Sequence, residues 1–488
     1  MIFYSIVSIA LALRVFFIGH HDLLAEEAYY WNYAMHLDWS YLDHPVMVAL
    51  LIKLSTILFG LTEFGVRFPA FICWGIAMYY SYQWSELIQR GCGPYSVLLL
   101  SILPFFFLYS LIITPDLPLI ACWSAALYYL YRALCRHQKR AWYYAGIAIG
   151  LGLLSKYTMV LVIATTGLYV LTVPTARVWL RQKEPYLALG IIGLLFTPVI
   201  YWNITHDWVS FAFQSTRRFQ GEFHFSLHEL LGLLGCFLTP IGIMGFYKLF
   251  RNATHHTSLP LTSIRMFQYF TCLPLSVFLF FSITRDIKSN WIGPSLLGII
   301  PWLAILMHHH ARTVQCWYQT GVLLIIGYAS LLFCMTFGQP KLINQMILSK
   351  MISWDNLTTQ IYTLATQIAI AQQEQPIIIP LDSYSIASEL TFYQAKLLQH
   401  RPQQPAFPIY GADPLGYNSL MFQYWYPYPH LQNKLVILIG KTPDALRKQR
   451  FITPVSEIKK IWGVSQGELA QIRTYYYQVA RMSFTAAS

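Results

Sequence analysis

The chain alternates between long apolar runs and short polar connections. Runs at 2–18, 66–88, 94–113, 117–135, 141–155, 157–174, 186–202, 229–249, 267–283, 291–308 and 317–335 approach the ~20 residues that cross a bilayer as a helix. They predict eleven spans. A further apolar stretch, 45–60 (PVMVALLIKLSTILFG), is shorter, begins at a proline and holds Lys53. Charge decides where it goes. If it lies along the surface, Arg90, Arg132, Arg136, Lys139, Arg140, Arg177, Arg181, Lys183, Lys248, Arg251, Arg265 and Arg312 all fall in one set of loops, a positive-inside pattern. If it spanned, the later basic loops would move outside. Residues 19–65 are therefore predicted to form one long extracytoplasmic loop whose amphipathic helices lie at the interface. An inside N-terminus and eleven spans leave the C-terminus outside. After Phe337 the pattern changes. Residues 377–381 and 435–439 read as strands, ASELTFYQAKLL and PDALRKQRF as helices, with Pro and Gly between them. The expectation is a polytopic α-helical membrane domain over 1–337 and a small extracytoplasmic α/β domain over 338–488, its folded core at about 360–475.

Composition agrees. Only 11% of the 488 residues are charged and 56% are hydrophobic, against about 25% charged in soluble domains. A single water-soluble domain is excluded. The net charge of +12 then reads as loop charge that sets topology and meets anionic lipid, not as a nucleic-acid surface. Met1–Ile18 lacks a basic leader and a clear cleavage site, so it is read as a retained first span. Arg14, toward its end, is expected to snorkel or pair with an acidic neighbour. The eight cysteines form no CxxC pair and predict neither a disulfide framework nor a metal cluster. No HExxH occurs, and the histidine runs at 255–256 and 308–310 fall at the inner membrane edge.

Candidate chemistry concentrates in Leu24–Pro69, which gathers carboxylates, two histidines and a run of aromatics. Glu26 and Glu27 either supply a general base, its pKa raised by partial desolvation, or cap the start of AYYWNYAMHL, which includes Tyr30. Neighbours on a helix diverge by about 100°, so the two should not share one role. Asp43-His44-Pro45 places an acid and an imidazole before a helix-opening proline; free N–H groups there suit phosphate, with His44 or Lys53 adding charge, and Asp43 also suits an N-cap. Asp116 sits in the tight turn Thr114–Pro118. Lys156 interrupts apolar sequence from Ala145 to Val170 and is either functional or snorkelling. Arg67, Arg217, Arg218, Arg285 and Lys288 are predicted on the same outer face, as are Asn203, His206 and Asp207 in one loop and Asn290 in the next. Cations facing carboxylates suit a lipid-linked phosphate donor and a hydroxyl acceptor. A transporter or flippase would instead place charges near the midplane and show an inverted repeat. A non-catalytic membrane scaffold is the remaining alternative.

The segments EEAYYW (26–31), WSYLDHP (39–45), EFGVRFP (63–69), TPDLPL (114–119), LLSKYT (153–158), YWNITHDWVSFAFQ (201–214), KSNWIGP (288–294) and, in the tail, DSYSIASELTFYQ (382–394) resemble bacterial relatives of the dolichyl-phosphate-mannose protein mannosyltransferases and the aminoarabinose lipid A transferases. That resemblance implies the multispanning glycosyltransferase C fold. It also implies inverting transfer of a sugar from a polyprenyl phosphate to a glycan, lipid or protein acceptor at the extracytoplasmic face of a bacterial inner membrane. By the same resemblance Glu26, Glu27 and Asp116 are the catalytic acids and His44 and Lys156 attend the donor phosphate; their place on the same outer face adds Arg67, Arg285 and Lys288 to the donor-phosphate candidates. Tyr30, Asp43, Asn203, His206, Asp207, Arg217 and Asn290 are further substrate-site candidates. The family's first-loop pair is usually Asp-Glu; here Glu26 takes the leading place, and its extra methylene moves the carboxylate by roughly 1 Å. His44 stands where aminoarabinose transferases carry lysine. No cofactor is assigned, and divalent-ion dependence varies across the fold. The expected partners are the donor, the acceptor and the bilayer, with no nucleic acid.

Overall fold

The structure, a computed structural model, describes residues 2–219, 223–251, 259–337, 353–426, 431–464 and 471–483. The chain forms two compact units. One comprises Met1–Phe16, Asp38–Leu51 and Arg67–Ala329; the other comprises Phe17–Leu37, Ile52–Val66 and Ser330–Ser488.

The first unit is helical. Helices run α1 (Ile2–His20), α2 (Ala25–Met35), α3 (Met47–Phe59), α4 (Glu63–Ile88), α5 (Gly93–Ile102), α6 (Pro104–Tyr109), α7 (Asp116–Leu134) and α8 (Ala141–Leu153), with α2 and the ends of α1, α3 and α4 belonging to the second unit. Among the described residues six helices are long and apolar enough to cross a membrane: Ile2–His20, Glu184–Thr205, Leu227–Arg251, Leu261–Ser282, Ser289–His309 and Ala311–Met335. Tyr157–Thr172 and Pro174–Arg181, bent by 107°, would add one more. The protein is a multi-pass membrane protein. The other predicted segments are helical too, but shorter, broken or charged. α8 has 13 residues, α4 holds Glu63, Arg67 and Glu86, and 94–113 splits at Leu103–Pro104, where proline removes a donor and disfavours the helical region for its predecessor. A similar proline effect at Pro240 leaves Thr239 non-helical inside Leu227–Arg251. α3, at 13 residues, is about 20 Å long, short of the ~30 Å hydrocarbon core. Its Leu50, Leu54, Ile57 and Leu58 are exposed at helical spacing, the stripe an interfacial helix lays against lipid.

The second unit carries a five-stranded sheet: β1 (Ile377–Pro380), β2 (Leu435–Gly440), β3 (Ile452–Pro454), β4 (Lys459–Val464) and β5 (Gln471–Met482). β1 pairs parallel with β2. β2 pairs antiparallel with β5, which also takes β3 and β4 antiparallel. β1 and β2 are buried at every position, which is why they read as continuous apolar runs. Ile379, Val436, Leu438 and Ala480 lie at the centre of this core. The helices Trp354–Gln372 and Ser385–Gln399 accompany it, and α2 packs on the latter, with Trp31 edge-on to Phe392 at 5.1 Å.

Candidate active site

In the first unit, Asp116 opens α7 and is 2% exposed. Lys156, 4% exposed, follows α8 in extended conformation, which turns its side chain off the helix axis. Its Nζ stands 2.6 Å from Asp116 Oδ1. Asn290 Nδ2 donates to Asp116 Oδ2 at 2.8 Å, so each carboxylate oxygen has a strong donor. Three segments far apart in sequence thus converge on one carboxylate. Two contacts aim Asn290: Tyr109 and Ser289 share a 2.7 Å hydrogen bond between hydroxyls, and Gly293 admits the Phe105 ring where a Cβ would lie 1.9 Å from Cζ. A glycine is required at that approach.

The 38–51 segment is tied to the same region. Met47 N–H donates to Leu154 O at 3.0 Å, two residues before Lys156. Asp43 O accepts from Gln214 Nε2 at 2.6 Å, and the Tyr157 hydroxyl bonds Ser210 at 2.8 Å and also reaches Ser40 and Asn203. His44 is half-buried at the turn between them. Asp43 is therefore not the N-cap of an isolated helix start; its backbone carbonyl anchors a loop.

Asn203 is wholly buried and closes a turn. Its carbonyl accepts from Trp208 N–H at 2.7 Å and its Oδ1 from Phe211 N–H at 3.3 Å. Those bonds hold Asp207 and Trp208 at φ 50° and 58°, each costing of order 1–2 kcal/mol. Asp207 is exposed. His206 stacks on Trp202 at 4.1 Å, and Trp202 Nε1 donates to Asp38 Oδ2 at 2.8 Å. Asp38 was not singled out from the sequence, although its place in HLDWSY beside Trp39 marked it. Arg67 is fully buried near the start of α4. Arg285 is half-buried and Lys288 exposed, in the segment leading to Asn290. The side chain of Arg217 lies outside the described residues, as do His255 and His256. His308 and His309 bond the Gln89 amide at 3.1 and 3.0 Å. Among the described residues no three His, Cys, Asp or Glu side chains gather as a metal-binding set.

In the second unit, Glu26 and Glu27 open α2. Glu26 is exposed; Glu27 is fully buried, and its Oε2 accepts the Leu24 N–H at 3.0 Å. The two acids diverge as the helical angle requires, one outward and one holding the helix start. Tyr30 is buried, edge-on to Tyr33. Asn32 Nδ2 reaches Ser388 O at 3.4 Å, and Tyr29 O–H accepts from Met421 N–H at 3.3 Å. Just before α2, Asp22 Oδ2 accepts from Trp354 N–H at 2.8 Å and the Tyr393 hydroxyl accepts from Leu23 N–H at 2.8 Å. Lys396 pairs with Glu63 at 2.6 Å. Burial, reinforced by the nearby Glu63, raises the Asp22 carboxyl to about 6. Burial lowers the His36 imidazole, which stacks on Trp425 at 4.6 Å. The Asp22, Glu63 and Lys396 contacts join residues hundreds of positions apart, and no spacing pattern marks them.

Residues 43–202 match the family described as dolichyl-phosphate-mannose-protein mannosyltransferase. The lipid A galacturonosyltransferase RgtD of Rhizobium johnstonii is 25% identical over 191 residues; the match covers 38% of this chain and 39% of that relative's length. ArnT from Cupriavidus metallidurans, in the apo state, superposes with a TM-score of 0.60 at 13% identity over 97% of both chains. Its structure bound to undecaprenyl phosphate gives 0.58 at 14% identity over the same shares. At these identities the structural likeness speaks for the fold, and the family match for the stretch that holds Asp116, Lys156 and His44. Over residues 43–202 the chain is similar to the dolichyl-phosphate-mannose-protein mannosyltransferase family, and its fold is the multispanning glycosyltransferase C fold of ArnT.

Proposed function

We propose that the protein transfers a glycosyl group from a polyprenyl-phosphate sugar to a hydroxyl of a lipid A-like glycolipid at the extracytoplasmic face of the inner membrane. The observation that carries this reading is the buried Lys156–Asp116–Asn290 cluster, within and beside the stretch that matches the family. The likeness to a lipid A galacturonosyltransferase and to ArnT favours a glycolipid acceptor and an undecaprenyl carrier. In this reading Glu26, the exposed acid of the pair, takes the proton of the acceptor hydroxyl. The hydroxyl oxygen attacks the anomeric carbon from the face opposite the phosphate. The bond from that carbon to the phosphate oxygen breaks, leaving its electron pair on polyprenyl phosphate, with inversion. Lys156 and His44, with Arg67, Arg285 and Lys288, offset the leaving charge. Asp116 orients Lys156. Glu27 holds the backbone that presents Glu26.

The test is mass spectrometry of envelope lipids from cells that express the wild type, Glu26→Gln or no protein. A hexose or pentose adduct on a glycolipid, present with the wild type and reduced at least about a hundredfold in the variant, is expected for loss of a general base. Equal adduct in Glu26→Gln and wild type would overturn the assignment of Glu26. No wild-type-dependent adduct on any envelope glycolipid would overturn the acceptor.

A further inference from the structure

α5 stops at Leu103 (φ −60°, ψ 133°) and α6 begins at Pro104. Such a break frees carbonyls that a continuous helix bonds internally, and within a membrane they need other donors. Here three successive carbonyls are taken by side chains of three other helices. Trp74 Nε1 donates to Leu100 O at 3.3 Å, Arg14 Nη2 to Ser101 O at 3.1 Å, and the Tyr328 hydroxyl to Ile102 O at 2.7 Å. Arg14 is the centre of this clamp. Its Nη1 returns to Ala10 O at 3.0 Å, and its Nε donates to Ser110 Oγ at 2.7 Å, just beyond α6. Its guanidinium lies between the rings of Trp74 at 4.1 Å and Phe107 at 4.4 Å, and Phe107 stacks on Tyr328 at 3.8 Å. The side chain is wholly buried. It does not snorkel, and among the described residues it meets no carboxylate, because the broken helix offers carbonyls and the rings offer π faces.

A cation buried without a counter-charge is expensive, so the geometry it fixes matters. The segment it fixes runs directly to the reactive cluster. Ser110 follows Tyr109, whose hydroxyl holds Ser289, the neighbour of Asn290; Asn290 holds Asp116. By chain, Ser110 leads through Thr114-Pro115 to Asp116 itself. We propose that Arg14 is a positioning residue: by locking the α5–α6 break it aims the 104–115 segment, and so sets the Asp116–Asn290–Lys156 geometry. Its kinetic consequence rests on the transfer reaction proposed above; its structural consequence does not.

The experiment uses the full chain in detergent with Arg14→Met, Arg14→Lys and Tyr328→Phe. The first readout is labelling of Lys156 by an amine-acylating reagent, followed by peptide mass spectrometry. In the wild type the ion pair protects Lys156. Arg14→Met is expected to label about tenfold faster there, as a local opening eased by ~1.4 kcal/mol would give, while the exposed Lys139 and Lys183 keep their rates. Arg14→Lys, which can keep one carbonyl bond, should fall between, and Tyr328→Phe should show the same direction with a smaller size. The second readout is kinetic: kcat reduced about tenfold in Arg14→Met with the donor KM unchanged, and partly rescued in Arg14→Lys. Wild-type labelling of Lys156 in a folded Arg14→Met protein would overturn the proposal. If Arg14→Met does not fold, wild-type labelling in both Arg14→Lys and Tyr328→Phe overturns it. Failure of the wild type to transfer sugar would strike the function and leave the labelling result to decide the clamp.

Discussion

Separating Lys156 from Asp116 should cost more stability than deleting both. The two charged atoms lie 2.6 Å apart on side chains 5% and 3% exposed. At an effective dielectric of about 20, attraction at that distance is about 6 kcal/mol before desolvation is counted. Desolvation removes most of it, so the net worth of the pair is small. A single substitution keeps the desolvation of the surviving charge and discards the attraction. Lys156→Met leaves a buried carboxylate with the Asn290 donor but no counter-charge, and Asp116→Asn leaves a buried ammonium; each should lose about 3–5 kcal/mol. The double variant Asp116→Asn/Lys156→Met buries no charge and should lose under ~2 kcal/mol, a coupling of several kcal/mol in a double-mutant cycle. The assay is denaturant unfolding in mixed micelles, followed by tryptophan fluorescence, beside the transfer assay. Stability and activity should part: the double variant regains most of the fold and none of the turnover. Additive losses, or single variants each within about 1 kcal/mol of wild type, a cost typical of exposed pairs, would refute the reasoning.

Glu27→Gln should keep its bond to the Leu24 N–H in weakened form, whereas Glu27→Ala should lose about 1–2 kcal/mol as other helix-start caps do; thermal unfolding of the purified protein checks it. Asp22 predicts a pH dependence. Its folded pKa, raised by burial from 3.8 to about 6, means the native state binds the extra proton, so this contribution is fully present below pH ~4 and is lost as pH rises through ~6. Asp22→Asn retains an acceptor for the Trp354 N–H and removes the charge, so it should flatten stability between pH 4 and 6 and raise it at pH 7 by of order 1–3 kcal/mol. Melting curves across that range measure it, and an unchanged slope contradicts it.

Much of this fold is visible in the pattern of apolar runs, because a helix in lipid must satisfy its own backbone and advertises itself by length and hydropathy. Each predicted segment is helical, and 377–381 and 435–439 are strands for a related reason: both faces are buried, so apolar residues run on without alternation. β3, β4 and β5 gave no such signal. TYYYQVARM lies in a strand that pairs with β2, β3 and β4, the first of them about 30 residues earlier, and its pairing rather than its propensity defines it. Among the site residues, Asp116 and Lys156 stand out as charges in apolar surroundings and Asn290 ends a polar outer loop, yet their meeting is a tertiary fact. Asn203 stood out for its company in NITHDW; its bonds show it holding a strained turn. Arg14 was legible as a charge in a span, but its partners are carbonyls exposed only because Pro104 breaks a helix on the far side of the sequence.

Arg14 and Lys156, two buried cations of the membrane unit, are held in opposite ways, and the choice of residue follows from the difference. Arginine keeps its charge under all ordinary conditions, and its planar fork can bond several carbonyls while both faces rest on rings. Arg14 uses all of that, with Ser101 O, Ala10 O, Trp74 and Phe107 as neutral partners. Nothing in that arrangement can be exchanged without breaking the packing, which suits a fixed strut. Lysine is a compact charge on a flexible stem. Lys156 reaches Asp116 through one short bond, and Asp116 keeps a second donor in Asn290 when the ammonium moves. A phosphate presented to Lys156 can therefore draw the ammonium over while the carboxylate stays partly satisfied. A guanidinium locked between two rings has no such freedom, so the exchangeable position holds lysine and the strut holds arginine.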